Sequence, residues 1–216
     1  MGTLLALMAP LRLLNEGLLA AGRALGIVCV ALMVVAILIQ VFFRYVLGNA
    51  LPWPDEAARF LMLWMTGLMA PTALRRGGFV AIDMVVRALP LRIGAVLSLV
   101  LLCLALLVLL VGFRIGANEV CGFGGRFDTV SLYVPDAGVR VNMAALCGFD
   151  ILNAFSMVEA SGWMKVPRWW MMLSIHIGIG LMVLVCVELI LRNAVSLLGG
   201  AHRLPLIRGA EMAGAE

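Results

Sequence analysis

The chain of 216 residues is 64% apolar and 13% charged, about half the charged share of an ordinary soluble domain, which excludes a water-soluble fold. Its apolar residues come in runs such as Ile93 to Phe113, where Ser98 is the only hydroxyl, and ~20 such residues cross a ~30 Å hydrocarbon core. The ten-residue alternating segments of a membrane barrel are missing, so the pattern predicts an all-α membrane protein: four transmembrane helices plus interfacial amphipathic helices. The net charge of +4 comes from arginines scattered between apolar runs, a topological pattern rather than a basic patch for nucleic acid.

Residues 1–23 open without a basic stretch or a cleavage site, so no removable signal is expected. Arg12, Glu16 and Arg23 share one helical face among leucines, which predicts an N-terminal interfacial helix. A first span over 24–47 stays apolar until Gln40 and Arg44. Gly48, Pro52 and Pro54 then force a short hairpin. Asp55 stands as N-cap of a second span over 55–74, with Glu56 beside it on the positive end of the helix dipole, and Pro71 lies in the last turn before Arg75, Arg76 and two glycines. Asp83 and Arg87, at i,i+4, mark an interfacial arm helix over 79–89, stopped by Pro90. The third span covers 91–115.

The polar segment 116–167 reads as an external loop with an extended piece at 129–134 and a helical pattern at 142–159. A fourth span covers 168–191, and 192–216 is a tail. With both termini cytoplasmic, nine arginines lie inside and seven cations outside. Three of those seven sit in the long loop, which is exempt from the positive-inside rule. Trp53, Trp163, Trp169, Trp170 and Tyr45 then all fall at the outer boundary, as in an aromatic belt. On this side, which is oxidising, Cys121 and Cys147 are a candidate disulfide; the alternative is Cys147 buried in a 142–159 helix.

Chemistry-bearing constellations are sparse. Two histidines, His176 and His202, cannot build a bis-His haem between helices. Zinc-protease, phosphate-loop and nucleophile-elbow motifs are absent, so no catalytic residue, cofactor or metal is expected, and no enzyme. Glu188 is expected to pair with Arg192 at i,i+4 near the boundary, and His176 to hydrogen-bond between helices. Gly22/Gly26 and Gly112/Gly116 offer small-residue spacings for close packing. Such a chain offers no polar route for a solute and reads as an accessory subunit.

One stretch is more specific. Trp53-Pro54-Asp55-Glu56-Ala57-Ala58-Arg59-Phe60 through Trp64, followed by Arg75-Arg76-Gly77-Gly78-Phe79 and Asp83, resembles the signature of the small membrane subunit of TRAP (tripartite ATP-independent periplasmic) transporters. The similarity extends to Arg44, Pro90 and Pro167-Arg168-Trp169-Trp170, covering about 24–115 and 164–192. The loop 116–167 is longer than in that family. The resemblance implies a large permease subunit carrying the substrate and sodium sites as an elevator, a periplasmic substrate-binding protein delivering an organic anion, and this chain as a static scaffold in the inner membrane. Physically, the two acids would cap the second span and hold Arg59 at the water boundary. Candidate boundary or partner-interface residues are therefore Arg44, Trp53, Asp55, Glu56, Arg59, Arg75, Arg76, Asp83 and Arg87. A stand-alone adaptor for another complex is the alternative reading.

Overall fold

The computed structural model describes residues 2–76, 91–123, 128–135, 139–142, 147, 155–157 and 162–197. Four helices among them are long and apolar enough to cross a membrane: α1 (Gly2–Tyr45), α2 (Trp53–Arg75), α3 (Leu91–Asn118) and α4 (Trp169–Leu197). The protein is an all-α, multi-pass membrane protein in its spanning part, with two small antiparallel ribbons between α3 and α4. The predicted arm at 79–89, with Asp83 and Arg87, lies outside the described residues.

α1 is one continuous helix where the sequence suggests an interfacial segment followed by a span. Nothing between Arg23 and Ala24 stops a helix, and breaking the i→i−4 ladder beside lipid would leave costly unpaired backbone groups. The helix ends where Gly48 takes a left-handed conformation, φ 64°, and the Asn49 N–H reaches back to the Phe43 carbonyl, 3.1 Å. α2 begins at Trp53, two residues before the expected cap. Pro54 is tolerated in its first turn because no helical N–H bond is needed there, so Asp55 is an acid of the first turn, not the N-cap.

β1 (Asp128–Pro135) pairs with β4 (Trp163–Pro167), with Tyr133 opposite Lys165 and Pro135 opposite Trp163. β2 (Val139–Val141) pairs with β3 (Phe155–Met157). β3 corrects the helical reading of 142–159 at its end: Phe155 to Met157 take their backbone bonds from β2, and cross-strand pairing overrides local periodicity. Cys121, in a five-residue π-helical turn that continues α3 (Glu119–Phe123), forms a disulfide with Cys147.

The chain divides into two compact units, residues 1–23, 68–112 and 178–216, and residues 24–67 and 113–177. The first has a core of Leu19, Leu74 and Val185, with Met182 and Leu189 packed on it. In the second, α2 and α4 approach so closely at Gly67 that a Cβ there would stand 2.4 Å from the Ser174 carbonyl oxygen.

Candidate functional site

Among the described residues, each unit holds a polar cluster. In the first, Glu188 is 1% exposed and Asn15 is 1% exposed. Glu188 Oε1 accepts from Arg75 Nη2 at 2.7 Å and Oε2 accepts from Asn15 Nδ2 at 2.7 Å. Arg75 Nη2 also lies 3.8 Å from Glu16 Oε1, which accepts from Arg12 Nε at 2.8 Å. Charges of alternating sign thus run through α1, α2 and α4. A carboxylate this buried is tolerable only when paired and hydrogen-bonded at both oxygens, and that condition is met from within the chain. Both oxygens of Glu188 are therefore already engaged within the chain.

This arrangement corrects the expected Glu188 pairing. Arg192 is the nearest cation in sequence and stands within electrostatic reach of Glu188, but the direct bond goes to Arg75. The clue lay in Asn15 and Glu16, polar residues in an otherwise leucine-rich stretch. Sequence spacing could not reveal that Asn15 meets a residue 173 positions away.

In the second unit, Glu56 is a clamp for β1. Its Oε1 accepts from the Val130 N–H at 3.0 Å and its Oε2 from the Ser131 N–H at 2.6 Å. Ser131 Oγ lies 2.5 Å from Glu56 Oε2 and 3.1 Å from the Pro52 carbonyl, and its single proton serves one of them at a time. Thr129 Oγ1 donates across the ribbon to the Val166 carbonyl at 2.8 Å. The expectation that the acids hold Arg59 fails for the same reason. Glu56 is spent on β1 and Asp55 Oδ2 accepts from Gln40 Nε2 at 3.2 Å, so among the described residues Arg59 has no ion pair with either acid.

The remaining candidates are dispersed. Arg44 is exposed, 6.0 Å from the Tyr45 ring centroid. Trp53 is exposed at the start of α2. Arg76 is exposed, its backbone N–H closing the helix on the Thr72 carbonyl. Among the described residues His176 makes no hydrogen bond to another helix: it stacks on Phe113 at 4.2 Å, with Gly116 against its Nδ1, which has no partner among them. Instead, helix-to-helix bonds come from Asn193 to Ser98 and from Cys186 to the Leu102 carbonyl. Among the described residues no group of three or more His, Cys, Asp or Glu side chains could hold a metal.

The Glu56 clamp yields a prediction. Glu56→Ala removes an acceptor of three bonds, two from backbone N–H groups, and charge-assisted bonds are worth about 1.5–3 kcal/mol each at most, less here because the site is half exposed. The expected result is release of the ribbon without loss of the spans: faster proteolysis between residues 116 and 167 with unchanged helical circular dichroism. Unaltered proteolysis would show that the clamp does not hold the ribbon.

Two comparisons with known proteins, one with curated proteins and one with solved structures, find no match. The profile of a family described as "Tripartite ATP-independent periplasmic transporters, DctQ component" matches residues 33–195. That range contains the Glu56 clamp and both Arg75 and Glu188.

Proposed function

Because the chain belongs to the DctQ component family of tripartite ATP-independent periplasmic transporters, we propose that it serves a sodium-coupled importer of an organic anion as its static scaffold. The chain is the small membrane subunit of such a transporter; the work of moving solute and sodium falls to a large permease subunit, supplied by a periplasmic substrate-binding protein. The observation that carries the scaffold reading is the engagement of both Glu188 oxygens by Arg75 and Asn15 within the chain, since transport routes need polar groups free to exchange partners. Its membership in a transporter component family likewise supports a non-enzymatic role. Reconstituted alone in liposomes, the chain is expected to bind neither sodium nor an organic anion and to show no counterflow; counterflow by this chain alone would make it the transporter itself.

The arginine distribution supports an inner-membrane orientation with both termini cytoplasmic. Single cysteines at Asn49, Gly78 and Gly138 in a cysteine-free background should react with an impermeant thiol reagent in spheroplasts at Asn49 and Gly138 only. Labelling at Gly78 would reverse the orientation.

The same orientation puts Cys121 and Cys147 on the oxidising side, which supports a persistent disulfide there. Closing a loop with a sequence separation of 26 contributes about 3.5 kcal/mol in the chain-entropy model. Alkylation of denatured, unreduced protein should modify three of its five cysteines; modification of all five would exclude the bond.

A further inference from the structure

The spans differ in what they leave uncovered. The exposed positions of α1 and α3 are filled mainly by large apolar side chains, among them Leu25, Leu32 and Leu38 on α1 and Val100, Leu104 and Leu107 on α3. Acyl chains cover such a surface as well as another protein does. α2 is the least apolar of the four spans. Between residues 55 and 66 its exposed positions are Asp55, Arg59, Met62 and Thr66. Their spacing of four, three and four returns them to one stripe, and three of the four are polar.

Only part of this stripe is served within the chain. Asp55 takes a bond from Gln40. Arg59 has no ion pair or hydrogen bond among the described residues, and the Thr66 hydroxyl folds back onto the Met62 carbonyl of its own helix at 2.9 Å. Thr66 lies 13 residues into the helix, about 20 Å from its start, too deep for water at the helix end to reach. A lipid-facing helix has no use for a polar stripe running inward from an unpaired guanidinium. A protein partner does: hydroxyls bond across helix pairs, and a cation in such an interface calls for a carboxylate. Met62, unbranched and adaptable, fills the contact between them.

We propose that the α2 stripe Asp55, Arg59, Met62 and Thr66 is the surface that docks the large permease subunit, against a membrane helix presenting a carboxylate to Arg59. This inference rests on the reading of the chain as the small subunit and adds which face makes the contact.

A photoreactive side chain at Met62 or Thr66, in the full complex in native membranes, is expected to give an adduct with the large subunit, whereas the same group at Leu104 on α3 gives lipid adducts. Arg59→Glu should reduce the co-purified large subunit about tenfold or more with unchanged helix content, and Arg59→Lys should retain most of it. Protein adducts from Leu104 with lipid adducts alone from Met62 and Thr66, in a complex that purifies intact, would overturn the docking face and leave the subunit reading standing. So would equal co-purification by Arg59→Glu. Failure of the wild-type chain to co-purify with any large permease would overturn both. An adduct from Met62 with the substrate-binding protein in place of the permease would also overturn the proposal.

Discussion

Arg75→Ala should be among the most damaging single substitutions in this protein. It strands Glu188, 1% exposed, with one bond from Asn15 as its remaining direct support. Removing one member of a buried pair typically costs about 3–5 kcal/mol, because the other charge stays buried without compensation. The loss should appear as a large drop in the thermal midpoint of the purified protein in detergent. The companion test is the double variant Arg75→Met with Glu188→Met, which removes both charges and keeps the volume. Replacing a whole buried pair by apolar residues is often nearly neutral, so the double variant should be clearly more stable than Arg75→Ala. If the two variants lose equally, the cost comes from packing and the charge network is not the cause.

Gly67→Val is expected to fail by a different route. A Cβ at this position would meet the Ser174 carbonyl oxygen at 2.4 Å and its carbonyl carbon at 3.0 Å. Both are backbone atoms of α4, so no flexible side chain can swing aside, and one helix must move. Overpacking costs about 1–3 kcal/mol and more where relief is impossible; this site belongs at or above the top of that range. Gly17→Ala is the control, since nothing lies within 4 Å of a Cβ there, and replacing an exposed helical glycine by alanine typically gains about 0.5–1 kcal/mol. Opposite shifts in thermal midpoint are the expected result. A stable, well-yielding Gly67→Val protein would mean that α2 and α4 do not meet at this point.

The contrast between the glycines shows where sequence reasoning stops. Gly22, Gly26, Gly112 and Gly116 stand out because they recur at four-residue spacing. Two of these do sit in tight places: a Cβ at Gly22 would stand 3.1 Å from the Leu68 carbonyl, and one at Gly116 would stand 3.0 Å from His176 Nδ1. Gly67, the tightest of the glycines described, belongs to no such pair. Close approach is a property of two helices, and a motif on one of them carries half the information.

The membrane class, the number of spans and the family resemblance were legible in the residues alone, because hydrocarbon imposes run length and the Trp53 to Asp83 stretch is specific in its spacing. The end of α1 was legible at Gly48, where punctuation is strong, whereas α2 starts at Trp53, two residues ahead of the expected cap, and α1 runs through Arg23 and Ala24 without a break. Only the tertiary structure decided the partners of the charges. Sequence rules pair a charge with its neighbour one turn away, which suggested Glu188 with Arg192 and Glu56 with Arg59. In the fold, Glu188 meets Arg75 and Asn15 and Glu56 meets the backbone of β1. The reason is physical: a one-turn pair at a surface is worth a few tenths of a kcal/mol, whereas a carboxylate removed from water must find strong donors for both oxygens, and those donors lie wherever packing brings them, at any distance along the chain.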